Sequence, residues 1–234
     1  FKVVVAEPTT GEAPYPAVVA IHGHSGNRWT PFDPEKQQYK CFGLALARRG
    51  YVVVSTNVGQ HEVYEDGRTL MGERLWDVMR CVDYLVSRDD VDNARIGCAG
   101  LSLGGEMAMW LGAMDERIAA TVSCGFLTMM DQMEQDHCMC WKFPGLRDLV
   151  DYPDIYACTA PRALQCQNGL QEPETQFNVP LARKAFEQVT PIYHDLGVAD
   201  NVALEVHDGG HEIALDTLLD FLDRHMRKEA SGPP

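Results

Sequence analysis

A serine lies in a run of small residues directly after a short apolar stretch of the chain. The run reads Gly100-Leu101-Ser102-Leu103-Gly104-Gly105, and the stretch before it reads Ile96-Gly97-Cys98-Ala99. A buried strand, a tight turn that carries the serine and a following helix form the arrangement called a nucleophile elbow. The glycines at 100 and 104 leave space that a Cβ would fill in such a strained turn. The pattern predicts that Ser102 is a catalytic nucleophile, with an idle serine in a glycine-rich turn as the alternative.

A serine hydroxyl is a poor nucleophile near neutral pH, so it needs a base, which is usually a histidine. The histidine expected in this role is His211, which follows the last predicted strand in the segment His207-Asp208-Gly209-Gly210-His211-Glu212. The glycines allow this loop to bend towards the strand ends, and the chain order serine, acid, histidine is then complete. His207 belongs to the end of the strand and is the weaker candidate.

The acid that orients the histidine is expected in a loop between the elbow and His211. A predicted strand ends there in the turn Asn168-Gly169-Leu170-Gln171-Glu172-Pro173-Glu174. We predict that Glu172 accepts a hydrogen bond from the second ring nitrogen of His211, and Glu174 is the next candidate. Asp208 lies three residues before His211 and fits a separate acid-bearing loop poorly. A solvated acidic turn is the alternative interpretation.

The negatively charged oxygen that forms during acyl transfer needs fixed donors, which are usually backbone N–H groups. One donor is expected from Leu103, directly after the serine. The other is expected from the loop His22-Gly23-His24-Ser25-Gly26-Asn27, where the N–H of His24 is preferred and that of Ser25 comes second. His22 is expected to brace this loop.

Strand and helix patterns alternate along the chain, which is typical of a mainly parallel sheet covered on both faces. Strands are predicted at 2–6, 17–21, 51–56, 96–99, 118–123, 163–167 and 202–207. Helices are predicted at 37–49, 71–86, 106–114, 180–196 and 212–227. The first two strands are expected to be neighbours, because only a loop containing Pro and Gly separates them.

Two segments keep alternative interpretations. The segment 124–153 is rich in Met, Cys and aromatic residues and lacks a clean period. It is either an irregular cover packed on the core or a partial lid whose side chains shape an acyl pocket. The segment 59–62 is either a solvated loop, which is preferred, or a border of the same site.

The loop beginning His22-Gly23, the elbow, the Glu172 turn and the His211 loop, in this order, resemble the α/β-hydrolase fold superfamily over nearly the whole chain. Further stretches are similar to its acetyl xylan esterase and dienelactone hydrolase-like branch: Trp76-Asp77-Val78-Met79-Arg80, Asp83-Tyr84-Leu85, Arg95-Ile96-Gly97, Cys140-Trp141-Lys142-Phe143-Pro144-Gly145 and Ala160-Pro161-Arg162. The resemblance implies a three-layer α/β fold with a mostly parallel sheet of seven to eight strands. It also implies a cofactor-free serine esterase acting on short acyl esters. Dienelactone hydrolases proper carry a cysteine nucleophile, and many relatives carry Asp where Glu172 stands.

Length and charge limit the function further. The chain has 234 residues, 45% of them apolar, which suits a single domain over 1–230 followed by a disordered tail at 231–234. Its net charge of −14 argues against nucleic acids and anionic membranes as partners. No apolar run approaches the ~20 residues that cross a membrane. A small-molecule ester is the expected partner, and the oligomeric state stays open.

Eight cysteines raise the question of disulfides or a metal site. Cys81, Cys98 and Cys166 fall within apolar helix or strand patterns, where cysteine behaves as a small apolar residue. The closest pair, in Cys138-Met139-Cys140, lacks the C-x2-C spacing of zinc sites. We therefore expect reduced thiols, no metal and no cofactor. Reduced thiols favour the cytoplasm, and secretion is left open because the chain begins at Phe1 rather than Met.

The predicted function is hydrolysis of carboxylic esters, with acetyl and other short acyl esters expected, through an acyl-enzyme on Ser102. A serine peptidase of the same fold is one alternative; such enzymes usually carry a large added domain, which is not expected here. A binding protein that keeps the fold without turnover is another. Dehalogenase and epoxide chemistry use an aspartate nucleophile in this fold, so Ser102 argues against them.

Overall fold

The computed structural model describes residues 1–135 and 137–227, so the expected tail at 231–234 lies outside the described residues. Within them, seven strands form one sheet: β1 (Val3–Ala6), β2 (Tyr15–Ile21), β3 (Val52–Thr56), β4 (Val91–Leu101), β5 (Ile118–Cys124), β6 (Ala163–Gly169) and β7 (Val202–His207). Their spatial order is β1-β3-β2-β4-β5-β6-β7. β1 runs antiparallel to β3, and the other neighbours pair in parallel. The mostly parallel sheet of seven to eight strands is therefore confirmed.

Helices cover both faces of the sheet. In the described ranges they are α1 (Phe42–Arg48), α2 (Leu70–Val86), α3 (Leu103–Met114), α4 (Met130–Met133), α5 (Leu146–Leu149), α6 (Tyr152–Ala157), α7 (Val179–Asp195) and α8 (Leu215–Met226). Helices α2, α3, α6 and α7 pack on one face, and α1 and α8 pack on the other. None of these described helices is both long and apolar enough to cross a bilayer. The result is the three-layer arrangement expected from the sequence.

Strand β2 shows why the central strands are apolar throughout. Ala17, Val19 and Ile21 belong to the core under α2 and α3, whereas Val18 and Ala20 belong to the core under α1 and α8. All five side chains are buried. Because successive side chains of a strand point to opposite faces, a strand with helices on both sides needs apolar residues at every position.

The helix expected at 37–49 is split, which corrects that prediction. A 3-10 turn at Gln37–Tyr39 is followed by two residues with positive φ, and only then does α1 begin. The N–H of Ile213 donates to the carbonyl of Gln38 at 2.9 Å, so this segment is docked on the chain that follows His211. That tertiary contact outweighs the local helix propensity. The last helix, α8, begins at Leu215, three residues after its expected start at 212.

The first two strands are not neighbours, contrary to the prediction. β3 lies between them, and its Val53 pairs with Ala6 of β1 on one side and with Val18 of β2 on the other. β3 is buried along its whole length, whereas β1 is half-buried at the edge of the sheet. A fully buried strand needs hydrogen-bond partners on both sides, and β1 supplies the second partner.

The first turn of α3 approaches the sheet more closely than side chains would allow. A Cβ on Gly104 would lie 2.3 Å from the carbonyl oxygen of Ile21, and one on Gly105 would lie 2.6 Å from that of Cys124. A Cβ on Gly100 would lie 2.4 Å from the carbonyl oxygen of Gly104. These glycines let α3 start directly on the ends of β2, β4 and β5.

We expect Gly105→Ala to lower the free energy of unfolding by about 2 kcal/mol, because the added methyl group overpacks a backbone carbonyl that cannot rotate away. Gly59→Ala is the matched control, since its nearest neighbour would lie at 3.4 Å, an ordinary contact. Urea unfolding followed by circular dichroism measures both variants. Equal stabilities of the two variants would contradict this account of the α3 contact.

Candidate active site

Ser102 occupies the turn between β4 and α3. Its backbone angles are φ 62° and ψ −123°, a region that residues with a Cβ rarely adopt. Its N–H donates to the carbonyl of Cys124 at 2.9 Å, and its carbonyl accepts from the N–H of Glu106 at 2.9 Å. The strained turn is thus fixed on both sides. The half-buried side chain lies at the N-terminal end of α3, where the helix dipole favours negative charge.

His211 and Glu172 are in contact at the carboxyl ends of β7 and β6. Nδ1 of His211 lies 2.8 Å from Oε1 of Glu172. A backbone hydrogen bond joins the two loops: the N–H of Leu170 donates to the carbonyl of His207 at 2.8 Å. Because an ionised carboxylate only accepts, Nδ1 carries the proton and Nε2 is left as the basic nitrogen.

The contacts separate Glu172 from the other candidate acids. Its side chain is 1% exposed, whereas Glu174 and Asp208 are exposed. Within residues 1–135 and 137–227, Oε2 of Glu172 has no hydrogen-bond partner, so this buried carboxylate depends on the donor from His211. His207 uses Nδ1 to accept a backbone N–H of its own loop at 3.2 Å.

Ser102 and His211 lie on either side of the end of β5. The serine N–H is bonded to Cys124, and a Cβ on the next residue, Gly125, would lie 2.9 Å from Cε1 of His211. Gly125 also has a φ of 58°. Among the described residues no hydrogen bond joins Ser102 Oγ to His211. Catalytic hydrogen bonds are often long before substrate binds and tighten in the complex.

The two predicted oxyanion donors carry N–H groups that are free to bind a ligand. That of Leu103 lies in the first turn of α3, where N–H groups have no acceptor within the helix. That of His24 donates to no atom of the described residues. The neighbouring N–H of Gly23 is occupied, since it donates to the hydroxyl of Tyr39 at 2.6 Å. A Cβ on Gly23 would lie 3.2 Å from Cβ of Ser102, so this loop borders the serine.

His22 is fully buried and braces the same loop. Its Nδ1 donates to the carbonyl of Gly23 at 2.7 Å, and its Nε2 accepts from the N–H of Val58 at 3.0 Å. Both bonds require a neutral ring. Burial lowers the pKa of His22 to about 4; the Gly23 carbonyl opposes this shift and the charge of Arg74 adds to it. The contacts agree with the bracing role expected from the sequence.

A narrow cavity of about 30 Å3 lies beside Ser102. Six of its lining residues come from the segment 124–153, namely Phe126, Met133, His137, Cys138, Cys140 and Trp141. The segment contains α4, α5 and a 3-10 turn at Met139–Trp141, so it is more regular than its sequence indicates. Because Met133 and Trp141 are also buried in the core, the segment is both a cover and a wall of the cavity.

Phe177 is a site residue that the sequence analysis missed. Its ring stacks on that of His211, with centroids 5.6 Å apart and planes 17° apart. The side chain is buried and also lines the cavity. Nδ2 of Asn168 donates to the carbonyl of Phe177 at 2.8 Å and holds it there. A single aromatic residue in a polar loop gives no sequence signal of such a contact.

Two buried ionisable side chains lie behind the cavity. Arg74 on α2 has no exposed surface; its Nη1 lies 3.4 Å from Sγ of Cys140, and its Nη2 donates to the carbonyl of Gln60. Glu106 follows Ser102 by one helical turn, and burial raises its pKa to about 8, with the charge of Arg74 opposing. Burial therefore favours the neutral form of Glu106.

Four potential metal ligands meet next to this cavity. One ligand atom each from His24, His61, Cys138 and Cys140 lies within 4.8 Å of the others. Burial, followed by the charge of Arg74, lowers the pKa of His24 to about 4. Burial raises the pKa of Cys140 to about 11, against the hydrogen bond from Arg74. No sequence pattern indicated a metal here. The Cys-Met-Cys spacing is not that of a zinc motif, and the two histidines lie far away in the chain, in other loops.

Comparison with known proteins gives a family match. Residues 39–157, just over half of the chain, match the prolyl oligopeptidase family. Among curated sequences, the chain is 26% identical over 232 residues to "Putative hydrolase YtaP" of Bacillus subtilis. That alignment covers 88% of this chain and 76% of the relative.

Solved structures share the fold. A glucuronoyl esterase from Solibacter usitatus superposes with a TM-score of 0.74 at 18% identity, covering 95% of this chain and 77% of that one. A "putative acetyl xylan esterase" from Bacteroides fragilis gives 0.68 at 20% identity, over 87% and 62% of the two chains. At these identities the likeness establishes the α/β-hydrolase fold, as the sequence resemblance implied.

The buried ring of His22 predicts a specific acid sensitivity. Its pKa is lower in the folded chain than in the unfolded one, so between about pH 6.5 and 4 the unfolded chain binds more protons. The wild type should therefore lose about 2 kcal/mol of stability relative to His22→Asn when the pH falls from 7 to 5.

Chemical unfolding at several pH values measures this difference. His194→Asn, a change at an exposed histidine of α7, is the control and should follow the wild type at every pH. A constant difference between the wild type and His22→Asn over this range would show that His22 is not held neutral.

Proposed function

The chain belongs to the prolyl oligopeptidase family, and from this premise we propose that it is a serine esterase that cleaves short acyl esters. The observation that carries the proposal is the hydrogen bond between buried Glu172 and His211, held at the same sheet edge as the strained Ser102. An orienting acid, a base and an exposed nucleophile are what acyl transfer requires.

The proposed reaction has two stages. Ser102 Oγ attacks the ester carbonyl, and Nε2 of His211 takes its proton while Glu172 stabilises the imidazolium. The N–H groups of Leu103 and His24 bind the oxyanion. Collapse of this intermediate expels the alcohol, which receives the proton from His211. A water activated by the same histidine then releases the carboxylic acid and restores Ser102.

The cavity restricts the acyl group. It is small, about 30 Å3, and its walls include Phe126 and Trp141, which are packed into the core, so it favours a short acyl group such as acetyl. A longer acyl chain would have to displace these side chains, which is costly in a close-packed interior. An acetyl ester is the substrate class named for the Bacteroides fragilis structure.

Peptide hydrolysis is the second candidate, because the matched family is named for a peptidase. The same serine, histidine and glutamate can cleave an amide, since only the leaving group differs. An ester and a peptide anilide tested on one enzyme preparation separate the two activities.

We expect Ser102→Ala to lower kcat/KM for p-nitrophenyl acetate by at least ~1,000-fold and Glu172→Gln by at least ~100-fold. Glu174→Gln is the matched control, because it makes the same change two residues away at an exposed side chain. It should stay within about 2-fold of the wild type, which is the range of a surface substitution.

Three outcomes would overturn parts of this assignment. If Glu174→Gln lowered kcat/KM as much as Glu172→Gln, the assignment of Glu172 as the acid would be wrong. Faster cleavage of a Gly-Pro p-nitroanilide than of the acetate ester would favour a peptidase. A Ser102→Ala variant as active as the wild type, together with a wild type that a fluorophosphonate does not label, would favour a binding protein.

The size of the cavity predicts a chain-length preference. For p-nitrophenyl acetate, butyrate and octanoate, kcat/KM should decrease in this order, with octanoate at least ~10-fold below acetate. Met133→Ala removes part of the wall and should raise the octanoate rate relative to the acetate rate. A wild type that cleaves octanoate as fast as acetate would show that this cavity does not hold the acyl group.

A further inference from the structure

We propose that His24, His61, Cys138 and Cys140 form a zinc site that joins three segments around the serine. His24 lies in the loop after β2, His61 lies in the loop after β3, and both cysteines lie in the segment 124–153. The chain separates these segments widely, yet the fold brings one ligand atom from each residue within 4.8 Å of the others. Two imidazoles and two thiols are a donor set of structural zinc sites.

The distances suit a tetrahedral ion. With Zn–S near 2.3 Å and Zn–N near 2.0 Å, the ligand atoms of such a site lie roughly 3.3 to 3.8 Å apart. Here Nε2 of His24 and Sγ of Cys140 are 3.0 Å apart, and no pair exceeds 4.8 Å. Small rotations of side chains close the remaining difference, and none of the four residues is buried in the close-packed core.

The histidine on the loop after β3 is oriented as a ligand. Nδ1 of His61 lies 3.0 Å from the carbonyl oxygen of Gly59. A carbonyl only accepts, so Nδ1 carries a proton and Nε2 is the nitrogen that remains to bind a metal. Histidines that bind metals usually donate their other N–H to a carbonyl or carboxylate in this way, which fixes the ring.

The cysteine nearest the interior has a donor on its sulfur. Nη1 of the fully buried Arg74 lies 3.4 Å from Sγ of Cys140, and no carboxylate within the described ranges lies within 4 Å of Arg74. A metal-bound thiolate would give this guanidinium a charged acceptor in place of a neutral thiol. Zinc with two thiolates and two neutral imidazoles carries no net charge, so the ion adds none beside Arg74.

Four protein ligands complete a tetrahedron and leave no position for substrate, so the ion is structural. It would tie the loop of His24, whose N–H is the proposed oxyanion donor, to the wall of the acyl cavity. The ester chemistry does not pass through the metal. The site therefore stands or falls independently of the esterase assignment.

The test measures metal content rather than activity. The protein is dialysed without chelator, and zinc is counted by inductively coupled plasma mass spectrometry. We expect about one zinc per chain in the wild type and in Ser102→Ala, and below about 0.1 in the double variant Cys138→Ser, Cys140→Ser. Cys158→Ser is the matched control, because it removes an exposed cysteine outside the cluster and should keep its zinc.

Cobalt(II) provides a second readout on the reduced wild type. Thiolate ligation in a tetrahedral site gives a sulfur-to-cobalt charge-transfer band in the near ultraviolet, which the double variant should lack. If the double variant fails to fold by circular dichroism, His61→Ala replaces it, since this ring lies in an exposed loop. It should weaken zinc binding by at least ~10-fold.

Three results would overturn the proposal. One is a wild type without zinc that also gives no charge-transfer band when cobalt(II) is added. A second is zinc retained by the folded cysteine variant and by His61→Ala, which would mean surface binding elsewhere. The third is an intact mass about 2 Da low with Cys138 and Cys140 joined in one peptide, which would mean a disulfide in place of the metal site.

Discussion

The backbone contact between the first turn of α3 and the ends of β2 and β5 is the constraint on which the rest of the site depends. It exists because Gly104 and Gly105 have no Cβ to hold the helix away from the carbonyls of Ile21 and Cys124. The Cys124 carbonyl, in turn, accepts the N–H of Ser102. The serine, the loop after β2 and the end of β5 are therefore positioned by one steric fit rather than by separate interactions.

That fit explains which parts of the molecule could be predicted from the sequence. The elbow is local, since strand, turn and helix follow one another within about twenty residues. The bounds of β7 agree with the prediction, because a short run rich in Val and Leu between two loops is also a local signal. The pairing of Glu172 with His211 could be anticipated because parallel strands deliver their carboxyl ends to one edge of the sheet.

The features that sequence patterns missed all depend on contacts between distant residues. The break at positions 40 and 41 follows from docking against Ile213, and local propensity favours a continuous helix there. The edge position of β1 arises because the buried strand β3 needs a hydrogen-bonding neighbour on its second side. Phe177 acts on His211 through ring stacking, and the Cys-Met-Cys stretch meets histidines from two other loops. None of these contacts produces a periodic pattern of apolar residues from which it could be predicted.

The buried polar side chains behind the cavity link the cover to the elbow. Arg74 belongs to α2, Glu106 belongs to α3, and Cys140 belongs to the segment 124–153. Side chains from three separate parts of the chain therefore meet behind the cavity. Among the described residues, Nε of Arg74 and Oε1 of Glu106 have no hydrogen-bond partner. Incompletely paired groups in a low dielectric are sensitive to small displacements. The charge of Arg74 therefore acts both on Cys140 in the cavity wall and on Glu106 in the helix that follows Ser102.

The order of the site residues along the chain has a consequence for synthesis of the protein on the ribosome. Ser102 sits at the end of a central strand, whereas His211 follows β7, more than a hundred residues later in the chain. During synthesis at 5–20 residues per second, the serine emerges about 5 to 20 seconds before the histidine that would activate it. A nascent chain thus carries the proposed nucleophile before the proposed base has been made. On the proposed mechanism, hydrolysis cannot begin until β7 and the loop that carries His211 have been made.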